Sequence, residues 1–392
     1  MPLGAEFPVP NLKEKTMHTI AESAERTAPS FTSLRPKSDQ SERWFAHEEA
    51  VSFEVAASRV LEAHRLDGDR ADVVVHQLRA WAFGSSDGHT MGLTRVPFEG
   101  RPDGEPLALR DLAFSQLSTK IGVPAHYIRS LPVRLQVACM NWGLVHQNSP
   151  ALLRLAGTEV RAILSDRYAA VDDSLLLEMI AETLDKTGYR DDALVRAVAV
   201  GPHTVMRITI PNEGVAVRVN DVMESGIDIS NSELGLRSVQ VTPVTYRLIC
   251  TNGMRAWRSE AAMRMRHIGD PARLRDQLRD AIPVAFAEAR GDIERWQRAV
   301  NLLVDSALDE IESLRSLGLS GAEILAVGHT YARDQSLPAT SSVESLNDVL
   351  KTSSSVFDIA NAVTATAKAR EGVAARLNLE EVAHHYLVRA TR

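Results

Sequence analysis

Residues 193–220 read ALVRAVAVGPHTVMRITIPNEGVAVRVN, and residues 238–250 read SVQVTPVTYRLIC. The first stretch holds three apolar, β-branched runs divided by Gly201-Pro202 and by Pro211-Asn212-Glu213-Gly214. The second stretch closes at Thr251-Asn252-Gly253. Short runs rich in Val, Ile and Thr between such turn residues read as strands. Ala193–Val200, His203–Ile210 and Val215–Asn220 are therefore expected to be strands, the last two joined as a hairpin. Ser238–Cys250 is expected to be a fourth. No regular strand–helix–strand alternation surrounds them, so the sheet should be an antiparallel meander rather than a parallel one.

Upstream of this core, Glu159–Leu164 reads as a strand. Asp172–Thr187 reads as a helix with Leu175, Leu176, Met179, Ile180 and Leu184 on one face. Downstream of Arg255 the pattern is helical. Asp270-Pro271 is a helix start, and Ile293, Trp296, Val300 and Leu303 form a packing seam. This helix is expected to kink at Pro283 and Gly291 and to end at Gly318, with Ser320 capping the next. Pro338–Ser345 reads as a loop, and Phe357–Arg370 and Leu379–Arg389 as the last two helices. Nearer the N-terminus, Val51–His64 is an amphipathic helix. Val73–Phe83 and His89–Val96 are strands around Gly84-Ser85-Ser86-Asp87-Gly88, and Leu107–Leu131 is helical with a break at Gly122-Val123-Pro124.

The fold class expected is α+β: an antiparallel β-meander core packed by helices, with a helical C-terminal region and a smaller α/β N-terminal region. Residues 1–43, with Pro at 2, 8, 10, 29 and 36, read as a poorly ordered leader. The remainder divides into an N-terminal α+β region over 44–150, the meander core over 151–255 and the helical region over 256–392.

The chain has 392 residues, 44% of them hydrophobic and 24% charged, as in ordinary globular proteins. Its net charge of −7 argues against binding nucleic acid over the whole surface. Cys139 and Cys250 are far apart, which rules out a disulfide framework or a four-cysteine zinc site within the chain. The N-terminus lacks the apolar segment of a secretory signal, and no stretch approaches about 18 uncharged apolar residues. A cytoplasmic location with no membrane contact is expected.

Several motifs can be weighed on their chemistry. Gly84–Gly88 has the letters GxSxG, but a nucleophile elbow must lead into a helix, and a returning strand follows here. Residues 114–131, FSQLSTKIGVPAHYIRSL, have the outline of a helix-turn-helix whose second helix offers His126, Tyr127, Arg129 and Ser130. A structural helical hairpin explains them more readily. Asp166, Asp172-Asp173, Asp221, Glu224, Asp228 and Glu233 form two acidic groups, the second around a loop. Carboxylates of this kind hold Mg²⁺ in phosphodiester chemistry, although solvated loops and helix caps also account for them. No phosphate-binding glycine loop, zinc-protease motif or dinucleotide motif is present, so no cofactor, catalytic residue or metal ligand is assigned.

The basic residues are more concentrated. Residues 247–279 contain eight Arg against Glu260, Asp270 and Asp276, an excess of five positive charges in an acidic chain. Arg207, Arg218, Arg237 and Arg247 fall on or beside different strands. On one face they would form a row leading into Arg255, Trp257, Arg258, Arg264 and Arg266. Cations that track a backbone, with an aromatic ring on which a base can stack, hold single strands without reading sequence.

Three central segments carry a family resemblance. They are Ile163-Leu164-Ser165-Asp166-Arg167-Tyr168, then Ile229-Ser230-Asn231-Ser232-Glu233-Leu234-Gly235, then Tyr246-Arg247-Leu248-Ile249-Cys250-Thr251-Asn252-Gly253-Met254. With Ile121–Tyr127 and Asp358–Thr364, these stretches make the chain similar to the phage- and plasmid-related family known as domain of unknown function 932. The resemblance implies a role in DNA replication, recombination or repair. A meander followed by a long helix is also similar in outline to the core of single-strand annealing recombinases. In that setting Arg side chains hold the phosphates, bases stay free to pair, and no metal or nucleotide is needed.

The function expected is therefore a non-catalytic, oligomeric protein that binds or anneals single-stranded DNA. Two alternatives stay open: a metal-dependent nuclease or phosphotransferase built on Asp166, Asp172, Asp221 or Asp228, and a duplex-DNA regulator acting through residues 114–131.

Overall fold

The structure, a computed structural model, describes residues 43–64, 70–85, 88–95, 103–211, 214–219, 221–248, 252–255, 262–338, 340, 342–370 and 372–392. Of the leader expected over 1–43, residues 1–42 lie outside these and Arg43 opens a strand; Thr251, Trp257 and Arg258 lie outside them too. The chain divides into two compact units, one comprising Val73–Ser149 and the other Ser38–Asp72 with Pro150–Arg392.

The smaller unit has an antiparallel sheet of β3 (Leu78–Ser85), β4 (Gly88–Arg95) and β5 (Asp103–Leu109). It follows β1 (Arg43–Ser52), α1 (Phe53–Ala63) and β2 (Arg70–Val74) in the chain. Ser85 pairs with Gly88, so the GxSxG letters mark a hairpin that leads into a strand. Leu107–Leu109, expected to begin a helix, end β5 instead. Three helices follow, α2 (Asp111–Lys120), α3 (Ala125–Ser130) and α4 (Val133–Val145). The Asn141 amide of α4 accepts from Ala80 N at 2.8 Å and donates to Ala80 O at 3.0 Å. A side chain thus supplies to β3 the two bonds a further strand would make.

The larger unit is built on an eight-stranded sheet. The β6 (Pro150–Ala156) and β7 (Glu159–Ser165) hairpin and helix α5 (Asp173–Thr187) precede its main strands. These are β8 (Leu194–Val200), β9 (Thr204–Thr209), β10 (Val215–Arg218), β11 (Asp221–Asn231), β12 (Val239–Arg247), β13 (Asn252–Arg255) and β14 (Met263–Met265). The order is β1-β8-β9-β11-β12-β13, with β10 on β11 and β14 on β12. Its strands pair antiparallel throughout the described residues, and the fold is α+β as expected.

Two expectations about this sheet are corrected. β9 and β10 do not form a hairpin; β11 pairs with β9 from Asn231↔Thr204 to Gly226↔Thr209, and β10 pairs with β11. The acidic segment expected to be a loop is that strand, and it is buried along almost its whole length. Its alternation is apolar on one side (Met223, Ile227, Ile229) and polar on the other (Glu224, Asp228, Ser230). The acidic residues hide a two-residue period. Pro243, within β12, falls between the residues paired to β14 (Val239–Val241) and those paired to β13 (Val244–Arg247). A residue without an N–H is tolerated in such a gap.

Helix α6 (Pro271–Asn301) starts at Asp270, whose carboxylate accepts from Ala272 N at 2.9 Å, and stays helical through Pro283 and Gly291. It stops well short of Gly318. Leu302 turns extended, and β15 (Leu303–Val304) pairs with β16 (Ser354–Ser355), so Leu303 leaves the expected seam and is exposed. The first half of α6 buries Leu274, Leu278, Ile282 and Phe286 with α1, α5 and the apolar sheet face. Its second half buries Ile293 and Trp296 among α7 (Ala307–Ser313), α8 (Gly321–Asp334), α9 (Val343–Leu350), α10 (Val356–Lys368) and α11 (Val373–Ala390). Helix α9 replaces part of the expected loop. Ser320 caps α8 as expected, in a capping box with Glu323. No helix of the described residues is long and apolar enough to cross a membrane.

Candidate nucleic-acid interface and the polar cluster beneath it

The expected row of Arg207, Arg218, Arg237 and Arg247 is not formed. Arg207, on β9, is 0% exposed. It donates to Asp228 at 2.8 Å through both Nε and Nη2, and to Glu380 of α11 at 2.5 Å. Opposite charges at hydrogen-bond distance are what permit a guanidinium in a dry interior. Gly253 lies against it, and a Cβ there would overlap Arg207 Nη1. Arg247 binds Asp221 at 2.6 Å and also bonds Asn361. Arg218 binds Asp358 at 2.9 Å. Arg247 and Arg218 both stack on the Phe357 ring, at 5.1 and 4.1 Å from its centre. These three arginines tie the sheet to α10 and α11.

The four carboxylates on which the nuclease or phosphotransferase alternative rests are dispersed in the same way. Asp228 faces Arg207, Asp221 faces Arg247, Asp172 faces Arg154 at 2.6 Å, and Asp166 is exposed. In the smaller unit α3 has only six residues. Arg129 bonds back to Asp111 and Ser115 of α2 and lies 4.7 Å over the Phe114 ring. The cation of the expected recognition helix thus fastens a helical hairpin.

Two of the family-motif segments do meet. At the end of β7, Ser165, Asp166 and Arg167 are exposed, and Arg167 N donates to Ser165 Oγ. The Tyr168 hydroxyl donates to Ser232 O at 2.7 Å, beyond the end of β11. Its ring stacks on His267, with centroids 4.8 Å apart and planes at 16°. Burial pushes the Tyr168 phenol well above its usual range. Ser232 Oγ accepts from Leu234 N and Leu236 N, turning the chain, and Gly235 has φ +77° in that turn.

Beneath this contact lies a buried polar cluster. Asp173 opens α5, and its N–H donates to Glu233 Oε1 at 2.8 Å, so a glutamate from another element satisfies a helix N-terminus. Glu233 Oε2 takes Arg161 at 2.7 Å and lies 3.6 Å from Arg154. Asp173 accepts from Thr204 Oγ1 and from Asn231 Nδ2, the latter at 2.7 Å, and lies 3.0 Å from His64 Nε2. The His64 bond and charge, with the Thr204 and Asn231 bonds, hold the Asp173 carboxyl low against its burial. Burial, and then the Asp173 charge, hold Glu233 high despite Arg161. Asn231, Ser232 and Glu233 thus lie in or beside one cluster. Asp173 and Glu233 stand in the two acidic groups of the sequence, but nothing there joins them to each other or to His64, because residues 64, 173 and 233 share no local spacing.

Around the stacked pair, cations gather at the surface. Arg167 precedes Tyr168 and Arg266 precedes His267, and both are exposed. Arg264, exposed on β14, donates to Ser238 Oγ at 3.0 Å. Arg237 is half-buried, and its charge bears on His203. Burial and that charge push His203 down to about 4. Burial also lowers His267. Among the described residues no carboxylate pairs with Arg167, Arg237 or Arg266. Of the other expected contacts, the Arg255 side chain, Trp257 and Arg258 lie outside the described residues.

Residues 161–318 match the family described as domain of unknown function 932. No curated protein and no solved structure matches the chain.

Proposed function

We propose that this chain, whose residues 161–318 carry that family's domain, holds a single strand of nucleic acid by its phosphates at the rim of Arg167, Arg237, Arg264 and Arg266. It would do so without catalysis, in DNA recombination or repair. One observation carries the reading. The arginines of the sheet interior have carboxylate partners, while at this rim Arg167, Arg237 and Arg266 have none among the described residues. Unneutralised guanidinium groups along one edge suit phosphates, which they bind bidentately.

None of the four rim arginines lies on a helix that could enter a groove. The rim therefore favours a flexible single strand, held by charge, over sequence-specific duplex recognition. The test is fluorescence anisotropy with a labelled oligothymidylate at low salt. Wild type should bind, Arg237→Ala with Arg266→Ala should bind at least about tenfold more weakly, and Arg129→Ala should bind as wild type. No binding by wild type, or equal binding by the rim variant, would overturn the proposal.

A further inference from the structure

We infer that His64, Asp173 and Glu233 form a binding site for one first-row divalent cation, which pins the end of α1, the start of α5 and the end of β11 together. A ligand nitrogen of His64 and one carboxylate oxygen from each partner lie within 4.8 Å of one another, with His64 Nε2 already 3.0 Å from Asp173 Oδ2. A cation about 2.1 Å from each donor sets those donors roughly 3 to 4 Å apart, so a closure of about half an ångström or more completes the site. One imidazole with two carboxylates suits Zn²⁺, Co²⁺ or Mn²⁺ rather than Ca²⁺ or Mg²⁺.

A further observation points to a ligand. Asn231 is 0% exposed, and its Oδ1 has no partner among the described residues. Its Nδ2 donates to two acceptors, Val171 O at 2.9 Å and Asp173 Oδ1 at 2.7 Å, which fixes the orientation of the amide. A buried hard oxygen is thus left unsatisfied on the amide that touches the cluster, where a cation or its bound water would satisfy it. Arg154 and Arg161 both approach Glu233 Oε2, while Oε1 is the oxygen at Asp173. The site serves stability and does not depend on the nucleic-acid reading.

The experiment uses the full chain, stripped with chelator and titrated with Co²⁺ and Zn²⁺. Wild type is expected to take up one equivalent per chain, to show visible cobalt absorption and to unfold at a higher temperature. His64→Gln keeps a side chain that can donate to Asp173 but lacks the imidazole. It should fold, judged by circular dichroism in chelator, and lose the cobalt spectrum. A hyperfine-shifted imidazole proton signal from cobalt-loaded wild type gives the same answer without any variant. Uptake below about a tenth of an equivalent, an unchanged cobalt spectrum in His64→Gln, or no shifted imidazole signal would each overturn the site.

Discussion

Gly253 and Arg207 illustrate how closely this chain spaces its charges. The Arg207 guanidinium occupies the volume a Cβ at 253 would need, and Asp228 and Glu380 fix it there, so it has nowhere to retreat. Gly253→Ala is expected to cost at least about 1–3 kcal/mol, as overpacking does, measured by urea unfolding. Glu380→Gln should cost roughly 3–5 kcal/mol, because it strips a buried cation of half its compensation. Thr251-Asn252-Gly253 reads as a turn, whereas Asn252 and Gly253 lie in β13, and the need for a glycine is not legible, since Arg207 lies on a different strand. Arg207 itself reads in sequence as one more strand arginine, and only the distant Glu380 shows that it is interior. At the rim, His203 is held neutral, at about 4 against an ordinary 6.5. Its folded form binds a proton less readily than the unfolded chain does. Stability should thus fall as pH drops from about 6.5 towards 4, and His203→Gln should flatten that slope in urea unfolding at several pH values.

At the scale of elements, β11 is hardest to read. Asp221, Glu224, Asp228 and Glu233 look like a solvated loop, because carboxylates rarely fill central strands. Each has a basic partner instead: Arg247, Arg196 at 2.6 Å, Arg207 and Arg161. Arg247 and Arg207 lie on the strands that flank β11, Arg196 on β8 and Arg161 on β7, and no local pattern shows which carboxylate meets which cation. The misplaced hairpin has the same cause, since without β11 the only visible neighbour for β10 is β9. Elements with strong local signals are legible: α5 from its apolar face, the α6 start from Asp270-Pro271, and α8 from its capping box. The α2–α3 hairpin is legible in outline, and its role depends on Arg129. Arg129→Ala should lower the thermal stability of the chain by a few degrees while leaving oligonucleotide affinity unchanged. A selective loss of duplex binding would instead restore the helix-turn-helix reading.

For the whole molecule, a net charge of −7 makes nucleic acid an unpromising partner, and the arginine excess over 247–279 makes it plausible again. The structure sorts that excess. Arg247 works inside the larger unit, while Arg264 and Arg266 reach the surface beside Arg167 and Arg237. Which arginines face solvent cannot be decided from spacing, because interior and surface strands carry them at the same period. The most direct measurement is the dependence of oligonucleotide affinity on salt, for wild type and for a variant with Arg167, Arg237, Arg264 and Arg266 replaced by Gln. Each arginine that no longer meets a phosphate should reduce the slope of log affinity against log salt by a little under one for a single strand. The account predicts a wild-type slope of about −3 that falls close to zero in the variant, with the fold unchanged by circular dichroism. A wild-type affinity that does not vary with salt, or a slope the four substitutions leave intact, would contradict it.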